Sequence, residues 1–319
     1  LMSAGYAAFS TNLTLSAKGN ILTTPESCFT VTDNGNGTGT ITNYDAKTCG
    51  TKVKIPQTIN GLTITKIGDT TGDSLTTEVF ANKGITKIIF PETLTYIGHY
   101  AFYRAPITSL DIPDSVTFIG SHAFYGSQIT GELILPPNLT YIGNVAFFAN
   151  NITKVEIPKT VTDLVMGAFT ANNMTGDDRF IYGRKNDGSI DYTVLNSYGA
   201  KEANGIEIPN TVTRLEGCTF MGVNLTEMNV PSRITYLGPY SFATSDLKTI
   251  TLNEGLQSIA ARAFTRTSLQ TITIPASVVS IEAYAFTDSK LQTINIKKPA
   301  NSISGSPWGA TNPTVNWVG

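Results

Sequence analysis

A phenylalanine returns at a nearly fixed interval along this chain. Phe102, Phe124, Phe147, Phe169, Phe220, Phe242, Phe264 and Phe286 each follow Ala, Thr or Ser, at steps of 22, 23, 22, 51, 22, 22 and 22 residues. A proline after an apolar residue keeps the same step at Pro91, Pro113, Pro136, Pro158, Pro209, Pro231 and Pro275, with Asn253 in the slot of the missing member. A unit of this length cannot enclose a core of its own. It must bury its apolar face against the units before and after it, and repeated stacking of that kind is a solenoid.

Within one unit Ile107, Leu110, Ile112, Val116, Ile119 and Phe124 occupy positions 1, 4, 6, 10, 13 and 18. Positions 4 and 6 alternate as in a strand with one buried face. Positions 10 and 13 lie three apart among β-branched residues and read as a tight irregular turn. Proline at position 7 ends the strand, and Gly120 at position 14 suggests a corner with positive φ. Helix signals are weak, with at most a short turn at the Ala-Phe pair. The phenylalanines are expected to stack in a continuous column.

The ends depart from the unit. Residues 28–80 read as an N-terminal cap and first irregular rung. Alternation at residues 29–32 and 40–44 around the Asn/Gly-rich turn at 33–37 predicts a hairpin over the open end of the core. Cys28 and Cys49 bracket it, either as a disulfide that closes the cap or as two buried thiols, while Cys218 lies alone inside a rung. The repeat runs over 81–299. Its 51-residue step exceeds two units by seven, so 174–204 reads as one irregular rung with an excursion: a strand at 180–182, a turn at 185–189 and a returning strand at 193–195. Residues 300–319 carry both tryptophans, Trp308 and Trp317, and read as a C-terminal cap with an indole over the last rung. Residues 1–27 begin with a short apolar stretch, read either as the remnant after an export or anchor helix or as a segment packed on the cap.

Composition narrows the functions. Lys and Arg number 22 against 24 Asp and Glu, and only 14% of residues are charged, against about 25% in an average domain. With no basic block, nucleic acid is not an expected partner. No apolar run reaches the roughly 18 residues of a membrane helix. Two His and three Cys leave little material for metal or nucleophilic chemistry, and no cofactor is expected.

The unit Ile-Pro-x-x-Val-x-x-Ile-Gly-x-x-Ala-Phe resembles the BspA-like leucine-rich repeats of bacterial surface proteins, in eight or nine units covering about residues 28 to 317. Tyr44, Cys49, Ile55, Pro56, Ile67 and Gly68 at one end, and the stretch around Trp308 at the other, are similar to the ends of such arrays. Residues 6–10 are similar to segments just outside the membrane helix of Gram-positive surface proteins. The resemblance implies a leucine-rich-repeat solenoid of the α/β-horseshoe superfamily, in a β-rich variant with little helix. It also implies an exported or surface-attached chain, anchored upstream of residue 1, that binds host or neighbouring-cell molecules. It brings no catalytic residues. Val165 in place of the corner glycine, Asn253 in place of proline and the 174–204 excursion depart from the pattern.

Equal positions in successive rungs form stripes. Positions 3 and 5 carry Lys87, Ile89, Ser109, Asp111, Glu132, Ile134, Lys154 and Glu156, then Thr249, Thr251, Thr271, Thr273, Thr293 and Asn295. Position 12 carries Tyr96, Phe118, Tyr141 and Tyr236, interrupted by Asp163 and Arg214. Position 19 carries Tyr103, Tyr125 and Phe148. Outward aromatics of this kind mark protein or sugar contact, whereas packed beneath the next rung they are only core. Asp111, Glu132 and Glu156 share a face, but nothing supplies the cleft that glycoside hydrolysis needs. His99 and His122 lack further metal ligands. The turns at 33–37 and 186–188 lack calcium-loop spacing. The expectation is a monomeric, non-enzymatic binding protein, extracellular or at the cell surface, for a protein or glycoprotein. A spacer or cell-wall scaffold is the alternative.

Overall fold

The computed structural model describes residues 23–68 and 78–319, so the reading of the first 22 residues lies outside the described residues. The chain divides into two compact units, Leu1–Asp163 and Leu164–Gly319. The division falls inside the stretch read from sequence as one array.

The first unit opens with a hairpin, strand Phe29–Asp33 antiparallel to strand Thr38–Tyr44. The Asp33 carboxylate accepts the Gly35 N–H at 2.8 Å and closes the tip, a local bond that favours turns over strands. A single-turn helix, Ala46–Cys49, follows. Asp45 caps it by accepting from the N–H groups of Lys47 and Thr48, and hydrogen bonding to Thr48 and Lys47 holds the Asp45 carboxyl below its ordinary range. Cys28 and Cys49 are joined in a disulfide, Cα to Cα 6.0 Å.

On this hairpin stand parallel strands. Leu62–Ile67 pairs with Thr38–Tyr44; Tyr96–Ile97, Phe118–Ile119 and Tyr141–Ile142 follow one rung at a time. This unbroken ladder passes through positions 12 and 13, which the sequence suggested were an irregular turn. Two residues, one outward and one buried, are too few to show a period. The ladder expected at positions 3 to 6 is instead interrupted. Lys52–Lys54 pairs with Lys87–Ile89 and Thr130–Ile134 with Asn151–Glu156, while residues 107–112 form no strand.

The corner glycines also act otherwise than expected. Gly98, Gly120 and Gly143 are not left-handed. A Cβ on Gly120 would lie 2.6 Å from the His99 nitrogen, and one on Gly143 2.3 Å from that of Ser121, so glycine is required there by the closeness of the neighbouring rung's backbone. The positive φ comes two residues later, on Tyr100, His122 and Val145. The second unit repeats it at Cys218, Tyr240, Arg262 and Tyr284.

The aromatic column forms. In the first unit Tyr44, Phe80, Phe102, Phe124 and Phe147 follow one another at ring-centroid distances of 5.1, 4.9, 5.1 and 5.3 Å. The four phenylalanines are fully buried and nearly parallel, near the rung spacing of a sheet. Three residues past Phe124 and Phe147 a buried polar side chain closes the turn, whereas Ala105 holds that place after Phe102. Ser127 donates to the Phe102 carbonyl at 2.7 Å. Asn150 donates to the carbonyls of Phe124 and Phe147 and accepts the Ile129 N–H.

The second unit, which begins at Leu164, holds a similar hairpin. Strands Phe180–Arg184 and Ile190–Tyr198 make an antiparallel hairpin where the sequence placed a strand, a turn and a returning strand. Its second strand carries a parallel ladder of Arg214–Leu215, Tyr236–Leu237, Ser258–Ile259 and Ser280–Ile281. Tyr198 does here what Tyr44 does in the first unit. Each is buried between a hairpin phenylalanine and the next ring of the column, Phe29 and Phe80 for Tyr44, Phe180 and Phe220 for Tyr198. Each donates its hydroxyl to a carbonyl just downstream, Gly50 or Glu202, at 2.9 Å. The excursion is a hairpin set within the array, with the turn at 164–173 hydrogen-bonded onto its second strand through Gly167, Phe169 and Ala171. The column then runs Tyr198, Phe220, Phe242, Phe264 and Phe286 and ends on Trp308, whose ring edge meets Phe286 at 6.3 Å. The Trp308 N–H donates to Ser304 at 2.7 Å, so this indole covers the last rung. Asn253 replaces proline by donating to the Val230 carbonyl and to Asn229.

Candidate recognition surface

The backbone register of the first unit sets Lys66, Tyr96, Phe118 and Tyr141 side by side. Threonines at the preceding position fix that register. Thr95, Thr117 and Thr140 donate their hydroxyls to the carbonyls of Thr65, Thr95 and Thr117. The rings stack face to face. Tyr96 lies 4.3 Å from Phe118 with planes 8° apart, and Phe118 lies 4.5 Å from Tyr141 at 5°. The Lys66 ammonium sits 5.8 Å from the centre of Tyr96. All three rings are half-buried, so position 12 faces outward and presents ring rims.

Position 19 makes a second stack, Tyr103 on Tyr125 at 5.1 Å and Tyr125 on Phe148 at 4.8 Å. Its exposure fades along the row: Tyr103 and Tyr125 are half-buried and Phe148 is buried. Between the two stacks lies a pair the sequence reading passed over, Tyr100 on His122 at 4.5 Å. Tyr100 also approaches Tyr103, and His122 approaches Tyr125. Arg104 covers the Tyr103 ring at 5.1 Å. The signal was present as the same 22-residue step, Tyr100 to His122, but hidden by the change of residue type.

In the second unit cations take the place of rings. Arg214 pairs with Tyr236 in the ladder and lies 4.3 Å over it. Arg262 lies 5.7 Å from both Tyr240 and Tyr284. Burial raises the Tyr236 phenol above its ordinary pKa. The Thr and Asn stripe is outward as expected, with Thr249, Thr251, Thr271 and Thr273 exposed. A shallow polar depression of about 420 Å³ runs beside Glu207, Glu227, Asn229, Thr249 and Thr251.

The other candidates have local partners. Lys154 stands 3.1 Å from Glu132 and 3.3 Å from Glu156, and hydrogen bonds to these carboxylates raise its pKa; Asp111 is exposed. His99 accepts the Ser121 N–H at 2.9 Å. Among the described residues no three His, Cys, Asp or Glu gather as metal ligands. Asp187 accepts from the Ser189 backbone and hydroxyl, so that turn is held by its own bonds. Cys218 is buried as a free thiol, pushed up to about 12 by burial.

Comparison with known proteins agrees with this architecture. The model of the BspA type leucine-rich repeat region matches residues 51–175 and 196–309, with six copies. A leucine-rich repeat protein of Eubacterium ventriosum is similar in structure, with a TM-score of 0.53 and 20% identity over 91% of each chain. A leucine-rich cell surface protein of Faecalibacterium prausnitzii has a TM-score of 0.49 and 22% identity over 95% of this chain and 96% of its own. A leucine-rich repeat protein of Bacteroides ovatus has a TM-score of 0.48 and 21% identity, covering 91% of this chain and 70% of its own. No curated protein matches the sequence. The first of these likenesses is one of fold.

Proposed function

Because the chain belongs to the BspA-type leucine-rich repeat family, we propose that it is a non-enzymatic binding protein of the bacterial surface that recognises an extracellular protein or glycoprotein. The observation that carries this reading is the outward stack of Tyr96, Phe118 and Tyr141. Aromatic rings held half in water cost solvation. Here every threonine beside them is spent on keeping them in register. A rigid row of this kind binds without ordering its own side chains, which removes one of the main costs of association. Aromatic residues with an adjacent cation are also the usual anchors of protein interfaces.

The test is a screen of the whole chain against extracellular-matrix proteins and glycoproteins, beside a Tyr96→Ala/Phe118→Ala/Tyr141→Ala variant. Selective binding that the variant loses supports recognition by the stack. Binding that the variant keeps moves the site to the Thr/Asn stripe or the polar depression of the second unit. A chain that captures nothing is better described as a spacer.

A further inference from the structure

On the reading that the first unit's stack is the recognition strip, we infer that its partner is an acidic polypeptide segment and that the sugar of a glycoprotein is not what it grips. Sugars are held by aromatic faces, over which their C–H groups lie. Here the faces of Phe118 and Tyr96 and one face of Tyr141 are covered. Phe118 is covered on both sides, by Tyr96 and Tyr141. Tyr96 has Phe118 on one face and the Lys66 ammonium over the ring. What the strip turns to solvent is ring rims. The rim of an aromatic ring is its positive part, the face its negative part.

Charge follows the same sense. Along the ladder the side chains run Thr40, Lys66, Tyr96, Phe118 and Tyr141 before Asp163 in the next rung. Arg104 stands exposed over Tyr103 in the neighbouring row. Between Lys66 and Tyr141 the ladder holds no carboxylate. Rims and cations together therefore make a positive strip on a chain whose formal net charge is −2. Its complement is a row of carboxylates on an extended chain, with aromatic side chains of the partner able to set their faces on the rims.

The experiment measures binding of the whole chain to poly-L-glutamate, poly-L-lysine and a panel of neutral oligosaccharides. The proteins compared are wild type, the Tyr96→Ala/Phe118→Ala/Tyr141→Ala variant and Lys66→Gln, each first shown to melt cooperatively. The expected result is binding to poly-L-glutamate alone, weakened by added salt. It should be roughly five-fold weaker in Lys66→Gln, as for loss of one partly exposed ion pair, and lost in the triple variant. A neutral oligosaccharide bound by wild type and lost in the triple variant overturns the inference while leaving the strip as the site. Poly-L-glutamate bound equally by all three proteins overturns the strip itself. No binding of poly-L-glutamate by wild type overturns the inference. Lys66→Gln keeps the test valid should the triple variant fail to fold.

Discussion

Phe118 lies face to face on Tyr96, 4.3 Å between ring centres, while six residues further along the same rung Phe124 lies 5.1 Å from Phe102. The two stacks look alike in spacing and differ in burial. Phe118 is half-buried, Phe124 fully buried. Truncation should separate them. Phe124→Ala opens a cavity between two fixed rings and is expected to cost about 3–5 kcal/mol. Phe118→Ala gives up two ring contacts worth about 0.5–1.5 kcal/mol each beyond their area. Denaturant unfolding of the two variants checks the order.

Gly120→Ala should destabilise although it adds one methyl group. That methyl would sit 2.6 Å from the His99 nitrogen and 2.7 Å from the Gly98 carbonyl carbon. Both are backbone atoms, so the rungs themselves must part. The cost is expected at about 1–3 kcal/mol, as for overpacking. Gly131→Ala is a control, since it has open space around it and suffers only from its positive φ.

Reduction of the Cys28/Cys49 bridge should weaken the first unit only. The bridge spans 21 residues of sequence and ties the start of the cap hairpin to its short helix. A loop of that size corresponds to about 3 kcal/mol of chain entropy. The hairpin of the second unit has no bridge and is held by Tyr198 packing. Hydrogen exchange with and without reductant should show protection falling between residues 28 and 67 and unchanged beyond 180.

Stability should decline in alkali. Burial pushes the Cys218 thiol from 9.0 to about 12; burial, helped by the charge of Asp45, pushes the Tyr44 phenol from 10.0 to about 12. Below pH 9 both groups are protonated in the folded and the unfolded chain, and their contribution is complete. Above it the unfolded chain releases protons that the folded chain retains, so unfolding gains free energy until the folded groups titrate near pH 12. Cys218→Ala should remove the earlier part of the decline and Tyr44→Phe the later part. Unfolding at about pH 8 and about pH 11 measures both.

The repeat was legible because one residue type at one step wrote the core. Phe102 to Phe147 and Phe220 to Phe286 are buried as that step requires. The column's ends were less visible, since Tyr198 and Trp308 keep the 22-residue step but change the side chain, and Phe80 was passed over although it stands one step before Phe102. The parallel ladder at Tyr96, Phe118 and Tyr141 was hidden because its strands are two residues long. The cations over the rings were illegible for another reason. Lys66 and Arg104 become neighbours of Tyr96 and Tyr103 only once register and rotamer are set.

The most direct test of the recognition strip is calorimetric titration of a captured partner against three whole-chain proteins: wild type, the Tyr96→Ala/Phe118→Ala/Tyr141→Ala variant, and Tyr236→Ala in the second unit. Recognition by the strip requires affinity to fall roughly ten-fold or more in the triple variant, as for loss of interface anchors, and to stay unchanged in Tyr236→Ala. Equal affinities for wild type and the triple variant would contradict it.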